Sequence, residues 1–256
     1  MAEWTTLRAQ DGHAFAAWTS SRPEPMAGLV VVQEIFGVNE HIREVADRYA
    51  ALGFAAVAPA LFDRAEKGVE PGYTEADVAK GRELRGRFSW DLSLLNLAAA
   101  AESVRHAGKV GVIGYCWGGS MAWRLAASES SRETYKSGKE SLVRPPIGGT
   151  AKLPVDAAVC YYGAQIVDYL HEKPKCPTLL IFGDEDTSIP SEAIVKIRAR
   201  PSRGRGRNLS RPARLRLRGA RGVPSRKRAS RFRSLVRISR PAPTPVRLVN
   251  RTGTRK

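Results

Sequence analysis

Cysteine is scarce: three in 256 residues, too few and odd in number for a disulfide framework. The N-terminal stretch MAEWTTLRAQDGH also lacks the basic-then-apolar pattern of a secretion signal. Reduced thiols and a cytoplasmic location are therefore expected. No run approaches the about 20 consecutive apolar residues that a membrane span needs, so no membrane partner is expected. Histidine is nearly as rare, with only His13, His41, His106 and His171. The sharpest absence is regional. Residues 197–256 contain no Asp or Glu but hold 21 Lys and Arg, whereas residues 1–196 hold the other 21 and all 25 acids. The net charge of +17 thus combines a region at −4 with one at +21, joined near residue 196.

What is present in residues 1–196 alternates between two patterns. TTLRAQDGHAFAAWTS (5–20) reads as a β-hairpin turning at Asp11-Gly12. LVVVQE (29–34) and FAAVAPA (54–60) are continuous apolar runs, as expected of strands covered on both faces. Between them Asn39 precedes a stretch with Ile42, Val45, Ala46, Tyr49 and Leu52 at helical spacing, closed by Gly53. Two helices are expected over 75–87 and 91–106, then a strand over 109–115 and a helix after it. DAAVCYYG (156–163) and PTLLIFGDED (177–186) supply further strands. Strands alternating with helices imply a mostly parallel sheet with helices on both faces, and chemistry at the carboxyl ends of the strands.

Residues 128–152 are polar without clear periodicity and read as a surface insertion. The last 60 residues are Arg, Pro, Ser and Gly with one aromatic, Phe232. Such a composition buries too little apolar surface to offset the entropy of ordering, so disorder is expected there.

The chemistry concentrates in VGVIGYCWGGS (110–120). Here a strand ends in Gly114-Tyr115-Cys116-Trp117-Gly118 and a helix follows. The pattern G-x-C-x-G places a nucleophile on a sharp strand-to-helix turn. Its glycines leave room for neighbouring backbone. The helix N-terminus favours a thiolate, and the amide of Trp117 is available to a developing oxyanion. A small buried structural thiol is the competing reading of the motif taken alone.

Four segments carry a resemblance that goes further: QEIFGVNEHIREVADRYAALGFAAVAPALFDR (33–64), GKVGVIGYCWGGS (108–120), YYGAQI (161–166) and GDEDTSIP (183–190). Together they resemble dienelactone hydrolase, a family of cysteine-dependent carboxylic ester hydrolases with the α/β-hydrolase fold. The resemblance covers about residues 5–196. It implies Cys116 as nucleophile and Asp186 as the acid of the triad, with Asp184 and Glu185 as near competitors. Glu34 corresponds to the glutamate that contacts the resting thiol, and the backbone N–H groups of Ile35 and Trp117 form the oxyanion hole. It also implies small esters or lactones as substrates, a thioester intermediate, and neither cofactor nor metal. Arg82 and Arg85 are candidates to meet a substrate carboxylate, but nothing in their spacing sets them apart from solvated helix charges.

The α/β-hydrolase order is nucleophile, acid, histidine. All four histidines precede Asp186, so none is expected to complete the triad, with His171 the least implausible stand-in. The family pattern stops at SEAIVKIRA (191–199), where the arginine-rich sequence begins. That abrupt change matches a shifted reading frame in GC-rich coding DNA. The expected fold is therefore an α/β-hydrolase sheet over 1–196 lacking its last strand and closing helix, and the expected protein a crippled hydrolase. Two rivals stand beside it: a catalytically dead binding protein, and one whose basic tail binds polyanions by counterion release. The tail has little aromatic interleaving and no nucleic-acid-binding fold, so nucleic acid is not expected as a functional partner.

Overall fold

A computed structural model describes residues 1–128, 134–137, 140–143, 154–183, 186, 189–198 and 246–250. Eight strands form one sheet: β1 (Ala2–Arg8), β2 (Ala14–Ser20), β3 (Ala27–Val32), β4 (Phe54–Pro59), β5 (Val110–Tyr115), β8 (Ala157–Tyr161), β9 (Thr178–Phe182) and β10 (Val246–Asn250). Their spatial order is β1-β2-β4-β3-β5-β8-β9-β10. Strands β1, β2 and β4 pair antiparallel, and every pair from β4 to β10 is parallel.

Local chemistry sets these boundaries. The β1–β2 hairpin turns at Gly12 with φ +85°, which glycine accepts without strain. It starts earlier than the sequence suggested, because Trp4 lies opposite Trp18 and their rings meet edge-on at 5.7 Å. Strands β3 and β4 are buried at every position, as their unbroken apolar runs required. Helix α1 (Glu40–Ala51) begins where the Asn39 side chain accepts from the Ile42 amide, with Glu40 favourably placed in its first turn. Helix α2 (Glu75–Gly86) starts with a reciprocal Thr74–Asp77 capping box. Helix α3 (Trp90–Ser103) ends three residues before the expected limit, and residues 105–107 continue as a 3₁₀ turn.

The period of the strands divides the core in two. Val30 and Val32 face one side with α3, α4 (Trp117–Ala127) and α5 (Ser191–Arg198). Leu29 and Val31 face the other, where α1 packs with Ile42, Val45, Ala46 and Tyr49. Among the described residues α1 is the sole helix of that second face, and β8 shows the result: Ala158 and Cys160 are buried while Ala157, Val159 and Tyr161 are half-covered.

One expectation changes. The last strand is not missing: β10 extends the sheet in parallel register with β9, from Val246 opposite Thr178 to Asn250 opposite Phe182. VRLVN is a short alternating strand sequence just after Pro245, and the open edge of β9 is a template for it. Bulk composition hid those five residues. The polar insertion contains a two-stranded antiparallel ribbon, β6 (Thr134–Ser137) with β7 (Glu140–Val143). Disorder was expected across all of 197–256; residues 197–198 end α5 and 246–250 form β10, and the rest of that expectation, with the missing closing helix, concerns residues outside those described.

The segment after β8 coils into a 3₁₀ helix (Ala164–Tyr169) and locks onto α4. Arg124 of α4, with its side chain only 3% exposed, meets Asp91 at 2.7 Å and Glu172 at 2.8 Å. Its guanidinium lies 4.2 Å from the Tyr169 ring centre. Burial alone would push the guanidinium towards neutrality, but the two carboxylates more than reverse this and hold it charged.

Candidate active site

The turn after β5 is made of backbone pressed against backbone. A Cβ on Gly114 would stand 1.9 Å from the Gly118 carbonyl oxygen. One on Gly118 would meet the carbonyl oxygens of Gln33 and Val32 at 2.4 and 2.5 Å. Only glycine fits either position. In between, Cys116 adopts φ 54° and ψ −120°. A residue with a Cβ is strained there by about 1–3 kcal/mol. The surroundings impose it: the Cys116 amide donates to Tyr161 O at 3.0 Å, and Cys116 O accepts from Gly119 N at 2.9 Å. Among the described residues three non-glycines have positive φ, namely Glu24, Cys116 and Tyr162. Two of the three sit at this site.

Neighbouring strand ends converge on the thiol. Glu34 and Ile35 follow β3, Cys116 follows β5 and Tyr162 follows β8, three adjacent strands. Buried Gln33 anchors the first loop, accepting from the Leu61 amide at 3.0 Å and donating to Glu34 O at 3.3 Å. Tyr162 Oη donates to Glu34 Oε1 at 3.1 Å. The close passage of Gly118 under Val32 and Gln33 brings the backbone of Ile35 and Trp117 to the same end of the sheet. Trp117 itself is fully buried, stacked on Phe62 at 5.6 Å with Phe88 and Trp90 around it.

The electrostatics are unbalanced. Burial pushes the Glu34 carboxyl above the usual carboxylate range, and the Tyr162 hydrogen bond and the His41 charge oppose this only in part. Burial also raises the Cys116 thiol, as do the negative charges of Glu34 and Asp186; the Trp117 amide and Arg85 pull it down. The other two thiols are buried in the core, Cys160 well above the ordinary range and Cys176 up to about 12. Cys116 alone is open enough to react.

The structure thus brings Cys116, Glu34, Ile35 and Trp117 together and sets Asp186 within electrostatic reach of the sulfur. Asp184 and Glu185 lie outside the described residues. Arg85 joins the group while Arg82 is exposed, a distinction that spacing along α2 could not make. Gln33 and Tyr162 were not foreseen; Gln33 inside the apolar run 29–34 and Tyr162 in YYG were their only signals. The histidines are dispersed. His13 stacks on Phe15, His106 Nδ1 lies 3.0 Å from Ser103 O, and His171 sits beside Tyr169. His41, second residue of α1, is the one whose charge reaches Glu34. Among the described residues no cluster of His, Cys, Asp and Glu could hold a metal ion, and no helix is long and apolar enough to cross a membrane.

A parallel sheet in this order with a strained residue between strand and helix defines an α/β-hydrolase fold. Solved structures agree: the chain aligns over 98% of its length with a putative dienelactone hydrolase from Klebsiella pneumoniae, covering 87% of it, at TM-score 0.61 and 22% identity. A dienelactone hydrolase from Anabaena variabilis aligns at TM-score 0.52 and 17% identity, over 98% of this chain and 85% of that one. At these identities the likeness shows the fold alone. Sequence carries the family. A profile described as "Dienelactone hydrolase family" matches residues 13–134. A carboxymethylenebutenolidase from Pseudomonas putida is 32% identical over 200 residues, 75% of this chain and 74% of that protein. A putative carboxymethylenebutenolidase from Synechocystis is 35% identical over 167 residues, 63% of this chain and 62% of that protein. The chain belongs to the dienelactone hydrolase family.

Proposed function

We propose that this chain attacks small carboxylic esters or lactones through Cys116 and forms a thioester, as expected of a relative of carboxymethylenebutenolidases. The observation that carries the reading is the Cys116 backbone, held at φ 54° beside the Glu34 carboxylate. Glu34 accepts the thiol proton, and the thiolate adds to the substrate carbonyl. The amides of Ile35 and Trp117 hold the oxyanion. As the ester C–O bond breaks, the protonated Glu34 returns its proton to the departing alkoxide. The acyl group remains on sulfur, so water must release it.

Release is the weak step. Water needs a positioned base, and residues 187–256 contain no histidine to pair with Asp186. Removing one member of such a triad costs orders of magnitude in turnover. Acylation at near-normal rate followed by slow hydrolysis is the expected kinetic shape. Mixing the protein with p-nitrophenyl acetate should release a burst of about one p-nitrophenol per chain and then a slow steady state. The burst should vanish in Cys116→Ser. Wild-type protein without a burst would overturn the reading and favour a binding protein. Rapid steady turnover would mean that another base serves Cys116. DNA sequence across codons 190–256 that encodes Gly-His in another frame would locate the absent histidine.

A further inference from the structure

We propose that Tyr162 is a positioning residue that keeps the proton on Cys116 Sγ, rather than on Glu34, while the site is empty. The inference rests on the reading of Cys116 as nucleophile and Glu34 as its proton acceptor. Tyr162 follows β8 as Glu34 follows β3, and β5 with Cys116 lies between them. The hydrogen bond from Tyr162 Oη to Glu34 Oε1, 3.1 Å long, therefore joins the ends of the two strands that flank the nucleophile's strand.

The backbone shows how firmly the tyrosine is set. Tyr162 has φ +38°, a conformation disfavoured for an aromatic residue. Its amide donates to Ile181 O at 2.7 Å, while the carbonyl just before it, Tyr161 O, accepts from the Cys116 amide. The hydroxyl and the elbow thus hang from two consecutive residues, Tyr161 at the end of β8 and Tyr162 just after it. The ring lies among aromatic neighbours, 6.4 Å from Tyr115 and 6.3 Å from Tyr161. Strain at both Cys116 and Tyr162 persists because the surroundings over-determine both.

On that reading one proton passes between Cys116 and Glu34, whose charge reaches the sulfur. With the proton on sulfur, the carboxylate is charged and Tyr162 donates to it, which favours this arrangement. With the proton on Glu34, the sulfur is charged and the phenol faces a neutral acid, a weaker acceptor. Tyr162 therefore favours the thiol–carboxylate form. Other groups face the pair: His41 from α1 and the phenol of Tyr73 act on Glu34, and Arg85 from α2 and Asp186 beyond β9 act on Cys116. They remain in place when Tyr162 alone is changed.

Alkylation of the full chain by iodoacetamide, followed on the peptide containing Cys116, tests this. Tyr162→Phe should react about tenfold faster near neutral pH, the effect of losing a hydrogen bond to a charged group. In a Glu34→Gln background the same substitution should change nothing. 3-Fluorotyrosine at position 162, a stronger donor of unchanged shape, should slow alkylation. This last arm covers a Tyr162→Phe chain that misfolds. An unchanged or slower Tyr162→Phe, or equal acceleration in the Glu34→Gln background, overturns the proposal and leaves the nucleophile intact. Wild type and Glu34→Gln with identical pH profiles would overturn the role of Glu34 and this proposal with it.

Discussion

Helix α4 has a buried polar cluster at each end, and the two are opposites. At its C-terminal end Arg124 faces Asp91 and Glu172, three charges that satisfy one another. At its N-terminal end Glu34 faces a phenol and a thiol, and no cation donates to it at hydrogen-bond distance among the bonds described. The first cluster holds its cation charged against the cost of burial; the second leaves an acid and a thiol both displaced upward. Electrostatic satisfaction marks the end that holds the fold, and electrostatic tension marks the end where chemistry is proposed.

The contrast can be broken from either end. The largest effect is expected for Cys116→Ala, which should remove the ester burst entirely while leaving the melting temperature within a few degrees. Scanning calorimetry beside stopped-flow absorbance would show both. At the other end, Arg124→Met removes the cation that faces the buried carboxylate of Glu172 and should lower unfolding free energy by about 3–5 kcal/mol. Urea titration would measure it, and adding Glu172→Gln should recover part of the loss.

The pH dependence is smaller and has a definite sign. Glu34 binds its proton more tightly in the folded chain than in the unfolded one. Stability therefore falls as pH rises from the ordinary carboxylate range through the raised folded value. Glu34→Gln should flatten that part of the curve. Cys116 does the same in the alkaline range, from the ordinary thiol value upward, and Cys116→Ala should flatten that part. The smallest effect is expected for Cys116→Gly, which relieves the strain at φ 54° and should stabilise the chain by about 1 kcal/mol. A loss of stability in that variant would contradict the assigned strain.

The parallel sheet was legible because β3 and β4 are covered on both sides and so read as unbroken apolar runs. The elbow was legible because backbone crowding admits only glycine at 114 and 118. Side-chain partners across the sheet were not. Tyr162 meets Glu34 across 128 positions of chain, and no local period encodes such a meeting. Arg85 and Arg82 differ only in which side of α2 meets the rest of the molecule. Strand β10 was hidden by its neighbours, since five residues of alternating pattern vanish in a composition averaged over 60.

The crowding at Gly114 and Gly118 has one more consequence. The turn is held by main-chain atoms against main-chain atoms, so it cannot be dismantled one residue at a time without disturbing the sheet. A catalytic base on a distant loop has no such protection and can be lost with little effect on folding. Selection for a folded chain alone would therefore preserve the elbow long after selection for turnover had ceased. In proteins built this way the nucleophile's turn records ancestry, and present activity has to be read from the groups around it that folding does not require.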